Sequence, residues 1–240
     1  MSPEFRRRME ALLAAHYGIA PDALDRPGTT LVPVAPEQWD DWLELIPVGA
    51  RVGVEVPPAL RARVEALVAA HPADRRLSGA DFVAAWGAEG ARVGHMKVYM
   101  LDEATFRPFT PDARYTVRAL TGADRAAFGE FLARCAPDDR DEADISLEQQ
   151  IPFGVFDGAR LVAAASTYPW LGLVDVGVLT DPDYRQQGLG KAVVSAVARQ
   201  VQAQGGVLCY RHALRNTGSQ GIAEGLRLSL YATVEAVHSG

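Results

Sequence analysis

Cysteine is nearly missing from this chain: Cys135 and Cys209 are the only two among 240 residues. Each sits inside an apolar stretch, so two buried free thiols are expected rather than a disulfide, and no metal-ligand spacing surrounds them. No uninterrupted apolar run approaches the length of a membrane span, so no membrane association is expected. Positive charge is short as well, with 24 Lys and Arg against 30 Asp and Glu and a formal charge of −6. That balance argues against nucleic acid as the main partner. Arg6, Arg7 and Arg8 resemble the start of a signal peptide. Glu10 and His16 interrupt the run after them, however, and Phe5, Met9, Leu12 and Leu13 make a helical stripe instead. A soluble cytoplasmic protein is the expectation. No fixed-period repeat is present, which excludes a solenoid.

What is present is apolar material. Hydrophobic residues make up 48% of the chain, enough for a core without staples. The length suits one large or two small domains. Ser2-Pro3 starts a helix that Gly18 stops. Thr29 to Val34 is extended, and Trp39, Trp42 and Leu43 predict a short helix before a strand at Arg51 to Val56. Pro57-Pro58 opens a helix carrying Leu60, Val64, Leu67 and Val68, which His71-Pro72 ends. Ser78 caps the helix of Phe82, Val83 and Trp86, and Met96, Val98 and Met100 alternate as a strand. Two prolines between Phe106 and Ala113 mark a boundary, giving domains 1–110 and 111–240. The first is mixed α/β and holds no catalytic motif.

Past the boundary, Tyr115 to Leu120 reads as a strand, and Thr121 with Asp124 opens a helix as a capping box. Asp138, Asp139, Asp141, Glu142 and Asp144 crowd an acidic loop, which is either solvated or an attractor for a cationic amine. Phe153 to Phe156 and Arg160 to Thr167 form a hairpin about Asp157-Gly158, the pair suited to a type I′ turn. The Tyr168/Trp170 pair lines a pocket or packs in the core. Val207 to Ala213 is a buried strand, Asn216 begins a short helix, and Leu228 to Val237 closes the sheet.

The most informative stretch is Val174 to Ala203. Val174, Val176 and Val178 share one strand face, opposite Asp175, Gly177 and Leu179. Asp181-Pro182 stops the strand. Arg185-Gln186-Gln187-Gly188-Leu189-Gly190 comes next, and Leu189, Val193, Val197 and Val201 then fall on one helical stripe. Glycines at 188 and 190 allow a sharp turn and close approach of a ligand to the backbone. The helix behind them presents free N–H groups and the positive end of its dipole, an anion cradle best suited to pyrophosphate. A dinucleotide fold needs G-x-G-x-x-G directly after the strand, and Asp181 to Gln187 is too long an interval. A P-loop is excluded because Gly190-Lys191-Ala192 lacks the hydroxyl.

The element order over residues 115 to 237, together with Arg185, Gly188 and Gly190 after a strand and Asn216 downstream, resembles the GNAT N-acetyltransferase superfamily. The resemblance implies an α/β fold with a mixed central sheet flanked by helices, and acetyl-CoA as acyl donor. It implies that backbone groups of Val178, Leu179 and Thr180 pair with the pantetheine arm. Main-chain N–H groups from Gln186, Gln187, Gly188, Leu189, Gly190 and Lys191 then hold the pyrophosphate, with Arg185 beside them and Asn216 and Ser219 on the second cofactor-side helix. Gly177 marks either a bulge that opens the cofactor slot or a close packing contact. The N-terminal half is expected to be a diverged companion domain.

Acyl transfer to an amine needs a base for the amine and an acid for the departing thiolate. The family usually supplies the acid as a tyrosine on the last helix; Ala223 stands there in this chain, with Tyr231 on the next strand and Ser219 the nearer hydroxyl. Candidate bases are Asp175 on the strand, His212 at the end of the next strand, and Glu148 ahead of the hairpin. Each also has a structural reading, which the sequence favours: a paired or solvent-facing aspartate, a hydrogen-bonded histidine, a surface charge. The expected activity is acetyl transfer to a small-molecule primary amine by direct attack in a ternary complex, since no cysteine sits where an acyl carrier is needed. The alternative is a non-catalytic acetyl-CoA-binding protein.

Overall fold

The computed structural model describes residues 1–34 and 41–240. Trp39 lies outside the described residues. The chain divides into two compact units, one of residues 1–98, 213–215 and 231–240, the other of residues 99–212 and 216–230. The boundary expected at residue 110 is a different cut, because this division returns the last strand to the first unit.

In the first unit, helix α1 (Pro3–Tyr17) is capped by the Ser2 side chain and closed by Gly18 in the left-handed conformation. Its buried stripe is Phe5, Met9, Leu13 and Tyr17. Leu12 is exposed instead, since a stripe repeating every fourth residue leaves it to one side. Strand β1 (Gly28–Pro33) pairs in parallel with β3 (Arg51–Val56), and β2 (Trp42–Val48) pairs antiparallel with β3. Residues 42–48 are therefore a strand, not the helix expected from Trp42 and Leu43. The run is buried at almost every position, so it carries no alternation to distinguish a strand from a helix. Helices α2 (Arg61–Ala70) and α3 (Gly79–Trp86) contribute Val64 and Phe82 to a core with Leu43, Leu45, Val52 and Val54. Ser78 and Asp81 cap α3 reciprocally. Strand β4 (Ala91–Met100) leads from this unit into the next.

The second unit is built on strands β5 (Tyr115–Ala119), β6 (Gln150–Asp157), β7 (Arg160–Trp170), β8 (Leu173–Thr180) and β9 (Leu208–Ala213). β5 through β8 run antiparallel in sequence, and β9 joins β8 in parallel. Helices α4 (Arg125–Arg134) and α5 (Pro137–Ala143) lie between β5 and β6 in the chain, α6 (Leu189–Ala203) between β8 and β9, and α7 (Thr217–Gly225) before β10 (Ser229–Ser239). Leu189, Val193, Val197 and Val201 of α6 are at most 1% exposed and pack with Ala163, Ala165 and Val176. Valine is a weak helix former by up to ~0.7 kcal/mol, whereas burying each side chain contributes about 1.5–3 kcal/mol. Burial wins, and packing rather than propensity holds this helix. Phe128 and Phe131 of α4 cover a separate core with Leu161, Ala164 and Leu179.

Two local expectations change. The acidic residues 138–144 are not a loop: Pro137–Ala143 is helical, with proline at its first position and Asp138 and Asp139 in its first turn, where they complement the dipole. Only Ala143 is buried, so no apolar stripe announced it. The β6–β7 turn is Gly158-Ala159, since Asp157 pairs with Arg160. Gly158 has φ 59° and Ala159 is not among the left-handed residues, a pattern of type II′ rather than I′. The mixed α/β class and the mixed sheet flanked by helices are as expected.

Candidate functional site

Strands β8 and β9 pair only at Val174 with Leu208 and at Asp175 with Cys209. Beyond that point β8 stays paired to β7 through Thr180, while its other edge carries no further ladder to β9 among the described residues. The edge of Val178, Leu179 and Thr180 is thereby left free for an extended partner. Gly177 pairs with Ser166 in an unshifted β7–β8 register, so no bulge interrupts that ladder. A Cβ on Gly177 would run into the Ala143 carbonyl oxygen; close packing of α5 is what requires glycine there.

Past Thr180, buried Asp181 caps the turn through Asp183 N and binds Arg134 Nε at 2.7 Å and Arg160 Nη2 at 3.0 Å. Burial pushes its carboxyl pKa up, but hydrogen bonds from Arg134 and Arg160 outweigh that and hold it below the usual range. This cluster anchors the glycine turn. Gln186 (φ 62°) and Gly188 (φ 78°) are left-handed, and Gly188 is the N-cap of α6. The first helical hydrogen bond of α6 runs from Ala192 N to Gly188 O, 3.0 Å. N–H groups ahead of Ala192 therefore precede the helix's own ladder, at the positive end of its dipole.

The side chains around this turn are tied to named partners. Arg185 Nη2 pairs with Asp139 Oδ2 of α5 at 2.8 Å. Gln187 Oε1 accepts from Arg114 Nη2 at 2.8 Å and from the Tyr115 hydroxyl at 2.5 Å. Lys191 Nζ lies 4.6 Å from the Phe109 ring centroid, and Ser195 Oγ accepts from Phe109 N and donates to Lys191 O. A Cβ on Gly188 would press into the Phe109 ring, and one on Gly190 into Ile222 of α7. Asn216 caps α7 by accepting from Ser219 N at 2.9 Å, and its Nδ2 donates to Glu142 Oε1 of α5 at 3.0 Å. The acidic helix α5 thus touches β8 at Gly177, the turn at Arg185 and the start of α7 at Asn216. Phe109, Arg114 and Ser195 had no signal in the sequence, because each gains its place only through the tertiary fold; Asp139 and Glu142 stood out as part of the acidic run, but not their partners Arg185 and Asn216.

The candidate bases sit in different surroundings. Asp175 is 1% exposed, and its Oδ2 accepts from Arg211 Nε at 2.5 Å and its Oδ1 from Val176 N. Arg211 also lies over the Trp170 ring, 4.4 Å from its centroid, and Trp170 is buried. His212 is buried and stacks on Tyr99 with ring centroids 5.6 Å apart. Glu148 is exposed and bonded to Ser146 Oγ and Arg125; these contacts lower its pKa. Each of the three is held by different partners. Ala223 is completely buried in the α6 core. Among the described residues no cluster could hold a metal ion, and no helix is long and apolar enough to cross a membrane.

Comparison with curated proteins finds no match. Among solved structures, the chain is similar to a GCN5-related N-acetyltransferase from Kribbella flavida, with TM-score 0.54 at 18% identity, covering 88% of this chain and 80% of that one. It is also similar to an acetyltransferase from the GNAT family from Colwellia psychrerythraea, with TM-score 0.51 at 16% identity and coverage of 67% and 62%. A functionally unknown conserved protein from Staphylococcus epidermidis gives TM-score 0.51 at 8% identity, covering 70% of each chain. At such identities the likeness is one of fold. The family model of the acetyltransferase (GNAT) family matches residues 117–224, the span from β5 to α7.

Proposed function

We propose that this domain moves an acetyl group from acetyl-CoA to a small-molecule primary amine by direct attack in a ternary complex. One observation carries the reading: the β8–β9 ladder ends at Asp175 and Cys209, and the freed edge leads straight into the glycine turn at the start of α6. The backbone of Val178, Leu179 and Thr180 would hold the pantetheine arm. The N–H groups of Gln186 to Lys191 would hold the pyrophosphate, with Arg185, now paired to Asp139, beside them. Asn216 and Ser219 hold the start of α7 against the same slot. Acetyl-CoA, when bound, supplies the thioester; the chain supplies orientation and proton handling. His212 and Asp175 are the proposed bases, reached directly or through water.

Buried Ala223 favours a second reading, an acetyl-CoA-binding protein without turnover. Free-thiol release from acetyl-CoA, measured against a panel of primary amines, separates the two. Thiol release with at least one amine is the expected outcome. Binding of coenzyme A with no release by any amine establishes the second reading, and the absence of binding overturns both.

A further inference from the structure

The first unit contains an open cavity of about 390 Å³, within the range of roughly 300–1,000 Å³ typical of small-molecule sites. Ile19, Ala20 and Ala23 give it an apolar lining, and Arg26, Thr30 and Arg51 a polar one. All six belong to that unit. Local structure builds the walls. Gly18 ends α1 in the left-handed conformation, Pro21–Ala23 is a single 3-10 turn, and Ala50 N holds Leu24 O at 2.7 Å.

Arg51 opens β3 directly opposite Gly28 of β1. A Cβ on Gly28 would come within 2.8 Å of Nη1 and 3.0 Å of Nη2, so the guanidinium lies against bare main chain. Its four hydrogen bonds are all 3.4 Å long, and all go to neutral acceptors: the carbonyls of Arg26 and Thr29 and, twice, the Thr30 hydroxyl. Charge-assisted bonds to a carboxylate settle at about 2.7–2.9 Å. The present contacts therefore orient the fork without answering its charge, and no carboxylate pairs with Arg51 among the described residues. Arg26 does pair, with Asp22 at 3.0 Å, but both side chains are exposed, and such a pair contributes little. Among the groups that line the cavity or bond to its lining, two arginines against one aspartate leave a single positive charge.

We propose that this cavity binds a small organic monoanion: a carboxylate seated on Arg51, carried by a short apolar body that lies against Ile19, Ala20 and Ala23. The planar fork offers parallel N–H groups to two carboxylate oxygens. A phosphate dianion would bring more charge than the cavity answers and nothing for its apolar lining. A neutral apolar molecule would leave the guanidinium without its counter-charge. The site does not depend on the acetyl-CoA reading.

The test is titration calorimetry of the full chain at pH 7 and about 0.05 M salt. The probes are 3-methylbutanoate, inorganic phosphate and 3-methylbutan-1-ol, the last having the same carbon body without the charge. The acid is expected to bind at least about tenfold more tightly than either of the others. Arg51→Gln is expected to weaken its binding about tenfold or more. Ala23→Leu, which fills the cavity and leaves both guanidiniums, is expected to do the same. If Arg51→Gln does not fold, as judged by circular dichroism, Ala23→Leu decides. Equal affinity for acid and alcohol would mean an apolar cavity only, and equal affinity for acid and phosphate would mean attraction of charge alone. Undiminished binding in a folded variant would place the acid elsewhere. Any of these overturns the assignment, as does no binding of the acid by wild type up to about 20 mM.

Discussion

At Gly188 two demands meet in one residue. Its φ of 78° belongs to the left-handed region, and a Cβ there would meet the Phe109 ring. The first demand costs a non-glycine residue about 1–2 kcal/mol; the second depends on how far the ring can give way. Gly188→Ala is therefore expected to destabilise by about 2 kcal/mol. Adding Phe109→Leu should recover the steric share and leave the backbone share, which a double-mutant cycle of urea midpoints would resolve. Only part of this is legible in the sequence. The glycine spacing announces the turn, but Phe109 sits 79 positions upstream (188 − 109), and no local pattern links the two.

Among the elements, β8 and the turn after it are the most legible, since alternation, Asp-Pro and the valine stripe of α6 are all local signals. Elements without a stripe mislead. Trp42–Val48 is apolar without period, and Pro137–Ala143 is acidic without an apolar face. What the sequence pattern does not disclose about β8 is how firmly its end is tied. Asp181 is 1% exposed and bound by Arg134 and Arg160, and its pKa is lower folded than unfolded. The stabilisation it gives is complete above the unfolded aspartate value near pH 3.9 and is lost as pH falls through the folded value. The two arginines are partly exposed, 28% and 41%, which screens the pairs. Asp181→Asn is expected to cost about 2 kcal/mol at pH 7. Denaturation curves of variant and wild type should converge as pH falls through the folded value.

Over the whole molecule, the described residues divide between elements fastened by apolar burial and elements fastened by polar contacts. α6 has nine buried residues out of 15, whereas α5 has one out of seven. Amide hydrogen exchange mapped along the chain should show this as a wide spread of opening energies. α6 and β7 are expected among the slowest amides and α5 as the fastest helix of its unit. Raising salt from 0.05 to about 1 M should hasten exchange in α5 and leave α6 unchanged. Equal salt response in both helices would show that α5 is held by something other than its charges.

The contacts of α5 then set a condition on anything entering the slot. Asp139 and Glu142 already hold Arg185 and Asn216, so a polyanion must displace two carboxylates rather than meet bare partners. Those carboxylates are left without their partners at the moment of displacement, and a cation arriving beside them would restore the charge balance. The two ligands of the proposed reaction, one anionic and one an ammonium before it loses its proton, would thus be linked through a seven-residue helix, each improving the other's reception without touching it.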